Sequence, residues 1–91
     1  MESSRNKKFL TTRRFDKSFV KLPEDIQEAT YEKLELFHKD PKHPSLRVKR
    51  MRGTNAIWEM SVTMNYRITF AEADTAIILR KIGTHDILSN P

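Results

Sequence analysis

The spacing of apolar residues along this chain changes character near residue 45. Before it, spacings are helical with one short exception at the start. Residues 7–12 (Lys-Lys-Phe-Leu-Thr-Thr) predict a short first strand. Phe15, Phe19, Val20 and Leu22 follow at intervals of 4, 1 and 2, which suits a short helical turn better than a second strand. Pro23 predicts the opening of a longer helix, because its fixed φ suits a first turn whose N–H groups have no partner. Ile26, Ala29, Leu34 and Phe37 form its apolar stripe. Glu24 and Asp25 lie at the positive end of the helix dipole and His38 and Lys39 at the negative end. Asp40-Pro41 stops it, since a residue before proline avoids helical backbone.

Lys42-His43-Pro44-Ser45 is a polar connector, and from Leu46 the pattern turns strand-like. Trp58, Met60 and Val62 alternate with Glu59, Ser61 and Thr63, then Met64-Asn65 makes a tight turn. Tyr66, Ile68 and Phe70 alternate with Arg67 and Thr69, and Glu72-Ala73-Asp74 makes the next turn. Residues 75–82 are apolar on both faces, which predicts an interior strand. Gly83 ends it, and His85-Asp86-Ile87-Leu88 reads as a turn or short helical cap. One strand, then helices, then an antiparallel run of strands predicts an α+β layer fold. A helical hairpin covers one face of a mostly antiparallel sheet of three or four strands, and the other face is left to water or a partner.

The length of 91 residues fits one domain spanning 1–91. The chain has no cysteine, which excludes a disulfide scaffold, a thiolate zinc site and a cysteine nucleophile. Its polar start carries no secretory pattern, and its longest apolar run, Ala76–Leu79, is far too short to cross a bilayer. A cytoplasmic chain without membrane attachment is expected.

Charge alters the picture more than composition does. The net charge is +5 and it is unevenly spread. Residues 42–52 hold Lys42, Arg47, Lys49, Arg50 and Arg52 without an acid, and residues 5–17 are basic apart from Asp16. Glu24, Asp25, Glu28, Glu32 and Glu35 cluster between those segments. Such polarity fits one face for a polyanion and one for solvent, the plain alternative being a solvated basic surface.

Three segments then stand in a telling order: Arg47-Val48-Lys49-Arg50-Met51-Arg52-Gly53, Tyr66-Arg67-Ile68-Thr69-Phe70 and Arg80-Lys81-Ile82-Gly83-Thr84-His85-Asp86. With the helix before them, they resemble the RelE/ParE superfamily of type II toxin–antitoxin toxins from about Phe9 to Leu88. The Gly-Thr-His ending is similar to the YafQ-like branch. The resemblance implies a ribosome-dependent mRNA endonuclease that needs no metal or other cofactor and is neutralised by a cognate antitoxin. Its partners would be that antitoxin, the ribosome and mRNA. It also implies attack of a ribose 2′-hydroxyl on the adjacent phosphate.

That reaction needs a proton acceptor, a phosphate holder and a proton donor for the departing 5′-oxygen. Arg67 matches the family's strand arginine and is the candidate phosphate ligand, a cross-strand surface pair being the alternative. His85 is the candidate general acid or base, or else a residue that only caps its turn. Arg80 and Lys81 should point to opposite faces of the last strand, and Arg80 is the one expected to join Arg67 and His85. Asp86 either orients His85 or caps the last turn, and capping is the expected role.

The RelE branch carries two lysines where this chain has Glu59 and Ser61, and Leu88 and Ser89 stand near the place of its tyrosine. Glu59 is therefore either a candidate base or a strand residue facing water. Lys42, His43, Arg47, Lys49, Arg50 and Arg52 are the expected RNA-binding set, able equally to grip an acidic antitoxin segment. The alternative function on the same fold is a ParE-like toxin that is not a nuclease and poisons DNA gyrase.

Overall fold

Thr12 joins the first strand to the first helix. In a computed structural model describing residues 7–91, strand β1 runs Lys8–Thr11 and helix α1 runs Arg13–Phe19. The polar start, including Arg5 of the basic segment, lies outside the described residues. The Thr12 hydroxyl oxygen accepts the Phe15 N–H at 3.1 Å and donates to the Arg80 carbonyl at 2.6 Å. One side chain thus caps the helix and pins it to the sheet, so the expected short turn extends to seven residues.

Helix α2 spans Glu24–Lys39, with Pro23 at its cap position and the Asp40 N–H closing on the Leu36 carbonyl at 2.7 Å. The Gln27 amide donates to the Phe19 carbonyl at 2.9 Å and ties the hairpin together. Only Phe37 of the predicted stripe is fully buried. Thr30 is also buried, at no polar cost, because its hydroxyl donates to the Ile26 carbonyl at 2.7 Å.

The strand expected from Leu46 begins later. Pro44–Leu46 forms a 3-10 turn that drives Leu46 into the core, and the chain leaves it through Arg47 in left-handed backbone (φ 49°, ψ 43°). Strand β2 is only Lys49–Arg50; β3 is Trp58–Ser61, β4 is Arg67–Glu72 and β5 is Ala76–Gly83.

The sheet therefore has five strands rather than three or four, in the order β1-β5-β4-β3-β2. All neighbours are antiparallel except β1, which runs parallel to β5. β5 is interior, as its apolar faces predict. No helix among the described residues is long and apolar enough to cross a membrane.

Alternate residues of β3 and β4 serve two different faces. Met60, Ile68 and Phe70 point inward with Ile77, Leu79 and Ile82 of β5, and Phe15 and Phe37 close the core from the helices. Phe37 meets Phe70 edge to face with centroids 5.4 Å apart. Glu59, Ser61 and Thr69 point the other way and are nevertheless buried, at 5%, 7% and 0% exposure.

The chain's own end covers part of that second face, which is not left wholly to water or a partner. After a 3-10 turn at His85–Ser89, the Pro91 carbonyl accepts from the Thr69 hydroxyl at 3.3 Å and from Arg80 Nε at 3.2 Å. Lys81 Nζ donates to the Asn90 carbonyl.

Candidate functional site

Three strand ends meet where β3 leaves the sheet, β4 enters it and β5 stops. Register places Arg67 beside Ser61 on one side and Gly83 on the other. The β3–β4 turn is held by Thr63, whose hydroxyl oxygen accepts the N–H groups of Asn65 and Tyr66 at 3.3 and 3.2 Å. Arg67 Nη1 donates to Ser61 Oγ at 2.8 Å and lies 3.9 Å from Glu59 Oε1. Its side chain keeps 20% exposure and that of Glu59 only 6%. Glu59 therefore does not face water. Its carboxylate lies beneath the arginine, where it orients the guanidinium and offsets part of its charge.

His85 opens the C-terminal turn and is exposed. It lines one cleft of about 450 Å³ together with Arg67, Tyr66, Thr84 and the turn residues Met64 and Asn65. Gly83 allows this arrangement. A β-carbon there would stand 2.8 Å from Ile87 Cγ2, so any larger residue would have to push that side chain aside.

Arg80 does not join them, and the expectation that it and Lys81 face opposite sides fails. Lys81 registers with Thr69 and Leu79 with Phe70, leaving Arg80 as an extra, bulged residue. Alternation is lost there, and both cations reach the carbonyls of the chain's end.

Of the basic connector, Arg47 lines a second cleft of about 260 Å³ with Arg67, while Lys42, His43 and Arg47 line a third of about 320 Å³ against Trp58. Arg67 and Arg47 link the three clefts in series. His43 has a structural duty as well, since its Nδ1 accepts the Ser45 N–H at 3.1 Å and caps the 3-10 turn. Lys49 pairs with Glu59 and Arg50 with Trp58, so these neighbours alternate between the two faces of the sheet. Arg52 stands exposed in the loop after β2.

The sequence reading missed Lys33 of α2, which lines the second cleft and donates to Ser45 Oγ at 3.2 Å. Nothing in a helical pattern marks it, because its partner lies beyond the helix end. Tyr66 was visible as part of the Tyr-Arg-Ile segment and Ser61 as a departure from the RelE branch, neither as a lining residue of a cleft.

No protein-family profile and no curated protein sequence matches this chain significantly. Solved structures do. The chain is similar to YafQ in the DinJ–YafQ toxin–antitoxin complex of E. coli at 13% identity, covering 91% of this chain and 97% of that one, with a TM-score of 0.72. It is similar to RelE in the RelB–RelE antitoxin–toxin complex of Methanococcus jannaschii at 18% identity, covering 89% and 95%, with a TM-score of 0.71. The archaeal RelE–RelB complex of Pyrococcus horikoshii OT3 matches at 15% identity over 87% and 94%, with a TM-score of 0.70. The chain has the fold of the RelE/ParE-type toxins.

Proposed function

We propose that this protein is the toxin of a type II toxin–antitoxin system and that it cuts mRNA on the ribosome, in the cytoplasm, without a metal. The observation that carries the reading is that an anchored arginine and an exposed histidine line one open cleft. Neighbouring clefts supply further cations, and no acid lines them among the described residues. The fold relatives are toxins crystallised with their antitoxins, which supports an antitoxin as the regulatory partner here.

In the proposed reaction the 2′-oxygen bonds to phosphorus as the bond to the 5′-oxygen breaks, giving a 2′,3′-cyclic phosphate and a 5′-hydroxyl. Arg67 holds the phosphate and stabilises the charge that grows on its oxygens. Ser61 and Glu59 fix that guanidinium from below, so its reorganisation is already complete when the substrate arrives. His85 protonates the departing 5′-oxygen, and the 2′-proton passes to water. Glu59 is a positioning residue in this scheme.

A second reading, the gyrase poison, is favoured by Glu59 and Ser61 standing where the RelE branch carries lysines. Induced cells labelled with methionine and thymidine separate the two. A nuclease stops methionine incorporation first, and the His85→Ala protein leaves it intact. Early arrest of thymidine incorporation with translation running would overturn the nuclease reading.

A further inference from the structure

The cleft between α2 and β4 adjoins the one that holds His85 and shares Arg67 with it, but Lys33 and Arg47 have no part in the chemistry above. It is lined by Lys33, Arg47 and Arg67, with Ser45, Ser61 and Thr63, and no acid lines it. Lys33 is held by the Ser45 hydroxyl and not by a carboxylate, so its charge is uncompensated. Arg47 makes no ion pair among the described residues. It reaches the cleft from left-handed backbone at φ 49°, a conformation that favours glycine and that persists where the surroundings enforce it.

The hydroxyls sharpen the specificity. Ser61 Oγ accepts from Arg67, and Thr63 Oγ1 accepts two backbone N–H groups, so both hydroxyl protons remain to be donated. The cleft thus offers donors from several directions and positive charge from three side chains. A tetrahedral oxyanion satisfies such a set better than a planar carboxylate, whose two oxygens lie in one plane. The adjoining cleft also offers a tryptophan beside Lys42 and Arg47, a combination suited to stacking a base.

We propose that this cleft is a second phosphate subsite for RNA, in which Lys33 and Arg47 hold the phosphate next to the one gripped by Arg67. The inference rests on the nuclease reading for its placement beside a scissile phosphate. Its test uses strands that cannot be cut, so the result does not depend on whether His85 and Arg67 catalyse.

The purified chain is titrated calorimetrically with a 2′-O-methyl dinucleotide bearing one phosphodiester and a trinucleotide bearing two. The second phosphate should tighten binding about tenfold, the scale of one added charge-assisted contact. Lys33→Gln should remove most of that gain and reduce the salt slope of log K by about 0.7. Arg47→Gly, which also relieves the backbone, should act in the same direction. Lys39→Gln makes the same charge change on the same helix outside the cleft and should keep the full gain. The proposal is overturned by no gain from the second phosphate in the unaltered protein, or by an undiminished gain in Lys33→Gln. A penta-glutamate peptide that competes as strongly as the trinucleotide would also overturn it, since the cleft would then be a carboxylate site.

Discussion

The two faces of this sheet are built from alternate residues of the same strands and are stabilised by opposite means. The inner face is apolar, and Phe70, Ile68 and Met60 pack there with no exposure at all. The outer face carries Thr69, Ser61 and Glu59, which are almost as buried yet polar, and each is matched to a carbonyl or a guanidinium. Burial alone therefore does not mark the core of this protein. The inner face holds the fold together, and the outer face spends its burial on orienting Arg67.

The largest test of that contrast is on the inner side. Phe70→Ala removes a fully buried ring and its edge-to-face partner contact with Phe37. It should cost about 3–5 kcal/mol in denaturant unfolding, close to the stability of a domain this small. A loss under about 1 kcal/mol would mean the face is not the core.

On the outer side, Gly83→Ala forces a β-carbon against Ile87 and should cost about 1–3 kcal/mol. It should also reduce the proposed RNA cleavage, because Ile87 and His85 belong to the same 3-10 turn. Adding Ile87→Ala should recover much of the stability in a double-mutant cycle, and additivity of the two changes would refute the contact. Thr69→Val keeps the volume and removes one hydrogen bond to the Pro91 carbonyl, for an expected loss of about 1 kcal/mol in thermal or chemical melts. The smallest effect belongs to β2. Lys49→Ala and Arg50→Ala should each change stability by less than about 0.5 kcal/mol, as both side chains are exposed. Only Lys49 lies on the Arg67 side of the sheet, so RNA binding should respond more to Lys49→Ala than to Arg50→Ala.

The same contrast explains what the sequence made legible. Period-two alternation located β3 and β4, and proline with Asp40 located both ends of α2. Those signals are local. The features that escaped are set by distant partners. A two-residue β2 exists because β3 pairs with it, and β1 joins the sheet only by a parallel partnership with β5. Burial of Thr69 depends on a residue 22 positions later. A single bulged residue, Arg80, erased the parity on which the choice between Arg80 and Lys81 rested. Of the proposed site, Arg67 and His85 were candidates by resemblance and line the same cleft, while Lys33 was hidden in an ordinary helix surface.

The central claim is that Arg67 and His85 act as one unit on RNA. Arg67→Gln is the appropriate partner to His85→Ala, because it removes the charge and keeps a polar amide over the buried Glu59 carboxylate. Transcripts from induced cells are mapped for new 5′-hydroxyl ends. The unaltered protein should create such ends within coding frames. Each variant should reduce them at least about a hundredfold, and the double variant should be no worse than either. Undiminished ends from the His85→Ala protein, or intact transcripts in arrested cells expressing the unaltered chain, would contradict the account.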